Sequence, residues 1–251
     1  MHFTAQTSSN GVVERTFTLG DISGVLWSPA SGSGRLPLVL LGHGGGQHKK
    51  APGVLAHARH FVTACGFAAA AIDAPGHGDR PRTAADEQHV TTIRQRRATG
   101  EPLGPIVVPY HAELAVRAVP EWQETLDALQ GLAEIGPAGP VGYWGLSMGT
   151  GIGVPLTAAE PRITAAIFGV LGHESLTDAA GHVTVPVQFL LQWDDELVGR
   201  QSGLALFDAF ASTEKTLHAN SGTHLQVPRF ELDSSARFFV RHLSPAGASP
   251  A

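Results

Sequence analysis

The chain has 251 residues, 17 basic and 22 acidic, for a formal net charge of −5. With 43% apolar and 16% charged residues, it has too much hydrophobic content for a disordered chain and enough length to bury a full core. The mild negative charge, with no basic stripe, excludes an ordinary nucleic-acid binder.

Residues 12–27 alternate loosely and break at Leu19-Gly20-Asp21, which predicts an antiparallel pair of strands. Pro37 to Leu41 is a short apolar run ending in glycines, suited to a strand buried on both faces. A helix is expected over 51–65. Phe67 to Ile72 reads as the fourth strand and ends at Asp73-Ala74-Pro75-Gly76. Residues 79–118 hold Arg80, Arg82, Arg94, Arg96 and Arg97, then Gly100-Glu101-Pro102-Leu103-Gly104-Pro105. This stretch is longer than a simple connection needs, and it reads as an irregular, lid-like excursion over the sheet edge. Val119, Trp122, Leu126, Leu129 and Leu132 are spaced as one helix face, which predicts a helix over 119–134. Val141 to Trp144 is a strand, followed by a Gly-rich turn and a helix ending near Glu160-Pro161. Ala165 to Val170 and Val187 to Leu191 are further strands. A helix is expected over 200–212, a last strand at Lys215 to His218, and a helix opened by Pro228. A flexible tail is expected over 244–251.

Strands alternating with helices imply a mostly parallel sheet covered on both faces, and no composition break divides residues 1–251 into two domains. The one cysteine, Cys65, allows no internal disulfide, which fits a reducing cytoplasm. Met1 to Gly11 lacks the order of a signal peptide. The longest apolar stretch, Ala165 to Gly172, is too short to span a membrane, so no membrane partner is expected. Oligomeric state stays open.

Chemistry concentrates at Gly145-Leu146-Ser147-Met148-Gly149. This G-x-S-x-G pattern lies between a predicted strand and a predicted helix, the setting of a nucleophile elbow. A serine hydroxyl is a weak nucleophile and needs a base, which needs an orienting acid. Asp194 and Asp195 follow the strand at 187–191, and His224 follows the last strand. The order Ser, Asp, His matches that architecture. His43-Gly44-Gly45-Gly46 follows the first buried strand, where side-chain-free residues let N–H groups approach a reacting oxygen. Gly44 or Gly45 would supply one oxyanion donor and the N–H of Met148 the other.

Together, Gly44-Gly45-Gly46, Asp73-Ala74-Pro75-Gly76-His77-Gly78, the elbow at Ser147, Asp195-x-x-Val198 and His224 resemble the α/β-hydrolase superfamily over about residues 12–243. The resemblance is strongest to small dienelactone-hydrolase-like and esterase-like members. It implies an eight-stranded, mostly parallel sheet with an antiparallel second strand. It also implies a catalytic triad of Ser147, Asp195 and His224, with Asp195 chosen over Asp194 because the acid stands three residues before a Val. Dienelactone hydrolases themselves carry cysteine at the elbow, where this chain has Ser147. Members often carry glycine three residues before the acid, where this chain has Gln192. No large helical cap fits the short span between Val170 and Val187.

Asp73 and His77 are read as bracing the loop after the fourth strand, and His43 as packing behind the oxyanion turn. The arginines of 80–97 form either a solvated helix face or a lure for an anionic substrate. Val107, Val108, Pro109 and Tyr110 are expected to give apolar contact to substrate, with Val108 and Tyr110 as the binding candidates. Thirteen histidines raise the question of metal, but zinc-site spacing is missing and His173-Glu174 lacks a second histidine. Phosphate-loop patterns are missing as well. The expected function is a cofactor-free, metal-free serine hydrolase acting on a small-molecule ester or related acyl bond. A cofactor-free acyltransferase or lyase on the same triad, and a non-catalytic small-molecule binder, are the alternatives.

Overall fold

The computed structural model describes residues 1–32 and 34–244. Three antiparallel strands open the chain: β1 (His2–Ser9), β2 (Val12–Leu19) and β3 (Ile22–Pro29). Then follow β4 (Leu38–Gly42), α1 (Pro52–Cys65), β5 (Ala68–Ile72), α2 (Ala84–Thr99), α3 (Gly104–Gln130), β6 (Val141–Gly145) and α4 (Met148–Ala159). The last elements are β7 (Ile163–Gly169), the short α5 (Thr177–Ala180), β8 (Val187–Gln192), α6 (Arg200–Ala209), β9 (Lys215–Asn220) and α7 (Phe230–Leu243).

Among the described residues, nine strands form one sheet in the order β1-β2-β3-β5-β4-β6-β7-β8-β9. The pairs β1/β2, β2/β3 and β3/β5 are antiparallel; every pair from β5 to β9 is parallel. The sheet therefore has nine strands where the sequence suggested eight. The added one is β1, from the polar stretch before residue 12, where no strand was expected. Only Phe3 of β1 is partly covered, so no alternating apolar pattern marks it. Its signal is Asn10-Gly11, whose φ values of 52° and 77° make the tight hairpin turn that this dipeptide favours.

Strand β4 shows how the layers are built. Leu38 and Leu40 point into one core with Leu114, Trp122, Leu126 and Tyr143. Val39 and Leu41 point into the other with Phe61, Trp144 and Phe239. The period of two divides each central strand between two cores. Helices α1 and α7 cover one face, and α3, α4 and α6 the other.

The stretch 79–118 is mostly helical, not irregular. Thr83 and Asp86 form a reciprocal capping box at the start of α2, and Gly100 ends it at φ 72°. Helix α3 begins fifteen residues before the expected 119 and carries Pro109 and Pro120 inside it. These prolines, which disfavour helix interiors, disguised it in the sequence. The expected tail lies outside the described residues from 245 onward. No helix among the described residues is long and apolar enough to cross a membrane.

Strands β4 to β9 all end at one edge. The loops leaving β4, β6, β8 and β9 carry Gly44-Gly45, Ser147, Asp195 and His224. In open α/β sheets this carboxyl edge is where ligands bind.

Candidate active site

Ser147 sits between the end of β6 and the first turn of α4 with φ 56° and ψ −121°. A side chain there is strained by about 1–3 kcal/mol. The surrounding glycines have a steric cause. A Cβ on Gly145 would lie 2.8 Å from the Gly149 carbonyl, and one on Gly149 would lie 2.7 Å from Gly42 O. The elbow is also bolted from below. Ser147 N–H donates to Gly169 O at 3.0 Å. The buried Thr150 hydroxyl accepts Gly169 N–H at 2.9 Å and lies 2.9 Å from Gly145 O. The fully buried Tyr143 hydroxyl donates to Gly149 O at 2.7 Å. Neither Thr150 nor Tyr143 stands out in the sequence, because a hydroxyl's bond to a distant carbonyl leaves no local pattern.

His224 Nε2 lies 3.0 Å from Ser147 Oγ, and its Nδ1 lies 2.8 Å from Asp195 Oδ2. Asp195 Oδ1 accepts the N–H groups of Leu197 and Val198 at 2.8 and 2.9 Å. Its side chain is 3% exposed. Asp194 is exposed and turns the other way, accepting Gly222 N–H at 3.2 Å. Two further side chains hold the histidine loop against the acid loop. Glu196 Oε2 accepts His224 N–H at 2.9 Å, which lowers the Glu196 pKa. Gln192 Nε2 donates to Thr223 O at 3.1 Å. Glycine at 192 could not make that tie.

The loop after β4 orients the Gly44–Gly45 peptide. His43 Nε2 accepts Ala74 N–H at 3.1 Å, so the ring proton is on Nδ1, which donates to Gly44 O at 2.9 Å. Gln47 N–H donates to the same oxygen at 3.1 Å. In a trans peptide the N–H points opposite to the C=O, so Gly45 N–H is aimed away from His43. A Cβ on Gly45 would lie 3.9 Å from Met148 Cβ. The N–H groups of Gly44, Gly45 and Met148 have no backbone acceptor among the described residues.

Behind this loop, Asp73 is fully buried and binds Lys49 Nζ at 2.6 Å, Lys49 N–H at 2.8 Å and Asp79 N–H at 3.0 Å. Burial pushes its pKa up, but these donors outweigh it and the net shift is downward. Lys49 is itself buried, a role its sequence context hides.

Ser147 and His224 open into a cleft of about 1920 Å³ that also receives Gly44, Gly45, Met148, Val108 and Tyr110. Helix α2 forms part of its wall through His89, Ile93, Arg94 and Arg97. This helix is pinned to α3 through buried Asp86, which accepts Arg117 at 2.9 Å and the Tyr110 hydroxyl at 3.3 Å. Tyr110 stacks on His89 with centroids 3.6 Å apart. Among the described residues no cluster of three or more His, Cys, Asp or Glu could hold a metal ion.

Burial lowers the pKa of His43 and His57 to about 4 and of His111 to about 3. In the unfolded chain each sits near 6.5, so between pH 6.5 and 4 the unfolded state binds more protons. Stability is then fully present above pH 6.5 and falls as the pH drops towards 4. Near pH 5 these three rings alone should take up about three protons on unfolding, a contribution to the slope of roughly 4 kcal/mol per pH unit. Urea titrations at stepped pH check this; a flat profile between pH 6.5 and 5 would contradict it.

No protein-family model and no curated protein matches this sequence, but solved structures do. A cold-adapted esterase from an Arctic intertidal metagenomic library, solved as a PEG-bound complex, is 36% identical over 97% of this chain and 100% of its own, with a TM-score of 0.79. The chain belongs to the α/β-hydrolase superfamily. Two more distant α/β-hydrolases share the fold. The acetyl xylan esterase from Paenibacillus sp. R4 is 16% identical over 96% of this chain and 88% of its own, at TM-score 0.70. The dienelactone hydrolase from Anabaena variabilis is 20% identical over 96% and 99%, at 0.64. This α/β-hydrolase is thus an enzyme of the hydrolase type.

Proposed function

We propose that this α/β-hydrolase is a serine carboxylesterase that cleaves a small-molecule ester through Ser147, His224 and Asp195. The observation that carries the reading is the unbroken relay from Asp195 Oδ2 to His224 (2.8 Å) to Ser147 Oγ (3.0 Å) beside unpaired N–H groups. The esterase named above, at 36% identity, supports it.

His224 Nε2 takes the proton as Ser147 Oγ attacks the ester carbonyl. The N–H groups of Gly45 and Met148 receive the oxyanion, each worth ~10²–10³ in rate. Gly44 shapes the turn that aims Gly45. His224 then protonates the leaving alcohol, and the acyl group remains on Ser147. Water, deprotonated by His224, attacks the acyl-enzyme and releases the acid. Asp195 holds the Nδ1–H tautomer throughout. Each group these steps use belongs to the chain, so no cofactor is required. Val108 and Tyr110 contact the substrate. A cytoplasmic setting suits Cys65, whose burial raises its thiol pKa to about 11 and keeps it unreactive.

An active-serine organophosphorus probe followed by intact-mass analysis tests the reading. One adduct, mapped to Ser147, is expected. No adduct would favour a pure binder. In isotopically labelled water the acid product should gain one solvent oxygen; its absence would favour acyl transfer or lyase chemistry.

Helix α2 acts in this reading as a fixed lid over the cleft. Of its sixteen residues only Asp86 is buried, so the helix adds little to the core. Replacing 84–102 by a short Gly-Ser connection should change the acyl-length profile more than the melting temperature. An unchanged profile across a graded ester series would contradict the lid role.

A further inference from the structure

Two histidines that the triad does not use form the wall of the cleft against α4. His111, on α3, is 7% exposed. His173 follows β7, and the two ring centroids are 6.1 Å apart. Both line the cleft that holds Ser147. His111 is near the nucleophile: a Cβ on Gly151 would lie 3.4 Å from its Nδ1. Gly151 stands four residues along α4 from Ser147, so it occupies the same helix face one turn away.

The two rings are incompletely bonded. His111 Nδ1 and His173 Nε2 are each sealed from solvent with no partner among the described residues. A neutral imidazole has one N–H and one bare nitrogen. A sealed N–H without an acceptor is the rarer and costlier arrangement, so both sealed nitrogens are bare. The His111 proton is then on Nε2, the ring nitrogen that is not sealed, on a side chain that lines the cleft. Burial keeps this ring neutral, with its pKa near 3. In His173 the proton is on Nδ1, 2.7 Å from Ser175 Oγ. Nδ1–H donates to that oxygen and leaves the Ser175 hydroxyl hydrogen free. Ser175 also lines the cleft.

We propose that His111 Nε2–H and the Ser175 hydroxyl, set by His173, form a neutral donor subsite that selects esters carrying an acceptor oxygen a few bonds from the scissile carbonyl. The inference rests on the esterase reading above and names its substrate class: oxygen-bearing esters (hydroxy, keto or ether) over plain alkyl esters of the same length. The selection is physical. An alkyl chain bound here leaves the buried His111 donor unpaired and gives the Ser175 hydroxyl no partner in place of water, whereas an oxygen pairs them.

The test is kcat/KM on isosteric pairs that differ only in one oxygen: methoxypropanoate against pentanoate esters on the acyl side, and methoxyethyl against butyl butanoate on the alcohol side. The wild type should favour the oxygen member of at least one pair by about tenfold or more. His111→Phe, which keeps a ring and removes the donor, should bring that ratio close to one; His111→Gln, which keeps a donor, should retain part of it. Ser175→Ala, on an exposed turn, gives a second reading should His111→Phe fold poorly, and it should also lower the ratio. Equal turnover of both members in the wild type overturns the inference alone. A preference that survives both His111→Phe and Ser175→Ala overturns it too. No turnover of any member overturns the esterase reading and this inference with it.

Discussion

Ser147→Ala should lower kcat by about 10⁶, to the residual level that the oxyanion donors and binding supply without a nucleophile. The fold should be unaffected. Among the described residues the Ser147 hydroxyl has one side-chain partner, His224 Nε2 at 3.0 Å. That nitrogen faces the cleft, where water replaces the lost bond, so the stability change should stay within about 1 kcal/mol. Alanine keeps the Cβ and therefore the strain of φ 56°. Glycine does not, so Ser147→Gly should melt higher than Ser147→Ala while being equally inactive. The gain should be about 1 kcal/mol or more. Active-site titration, steady-state kinetics on an activated ester and paired melting curves check all three statements. Retention of more than a small fraction of activity in purified Ser147→Ala would remove Ser147 from the mechanism. A lower melting point for Ser147→Gly would show that the elbow strain is not held where its φ places it.

The central parallel part of the sheet, β4 to β8, was legible because its strands are short, largely apolar runs closed by glycine or a polar turn. Leu38 to Gly42 and Ala68 to Ile72 are buried at every position, and such runs have few alternative readings. Strand β1 was not legible for the opposite reason. At the sheet edge it buries almost nothing, so hydrophobic pattern carries no information there and only the turn chemistry of Asn10-Gly11 does. Helix α2 failed in the same way. It is polar nearly all round, and its evidence lies in its ends: the Thr83/Asp86 box and Gly100. In both elements the information lies in caps and turns rather than in hydrophobic periodicity.

At the site, residues with a motif could be found in the chain, and residues that support them could not. Ser147, His224 and the acid pair announce themselves by pattern and order. Lys49, Gln192, Glu196 and Thr150 bond to groups 19 to 31 residues away in the chain, and His111 meets α4 from a different helix, and no local spacing encodes such a pairing. Lys49 is instructive. It looks like half of an exposed Lys-Lys pair, yet it is 5% exposed and neutralises Asp73 under the Gly44–Gly45 loop, while its neighbour Lys50 reaches the surface and pairs with Glu14. The difference is set by which way the turn after Gln47 faces, a property of the fold rather than of the dipeptide.

The two adjacent acids give the other large expected effect: Asp195→Asn should cost about 10⁴ in kcat, and Asp194→Asn at most about tenfold. The reason lies in what an amide can do at each place. Asp195 uses one oxygen to accept the N–H groups of Leu197 and Val198 and the other to accept from His224 Nδ1. An asparagine there must keep its carbonyl towards the two N–H groups, because its NH₂ would meet them donor to donor. Its NH₂ is then forced against His224 Nδ1. The ring can satisfy that donor only by leaving Nδ1 bare and moving its proton to Nε2, the atom that must accept the proton of Ser147. The base is present, correctly placed and in the wrong tautomer, which in other serine-hydrolase triads costs ~10⁴. Asp194 is exposed and accepts one long bond, 3.2 Å, from Gly222 N–H. An amide oxygen accepts that bond equally well, and the only loss is a surface charge. Steady-state kinetics of the two single variants on one activated ester, at one pH, separate the cases. A severe defect in Asp194→Asn beside a near-normal Asp195→Asn would reverse the assignment. Equal, mild defects in both would mean that His224 does not depend on a carboxylate for its tautomer.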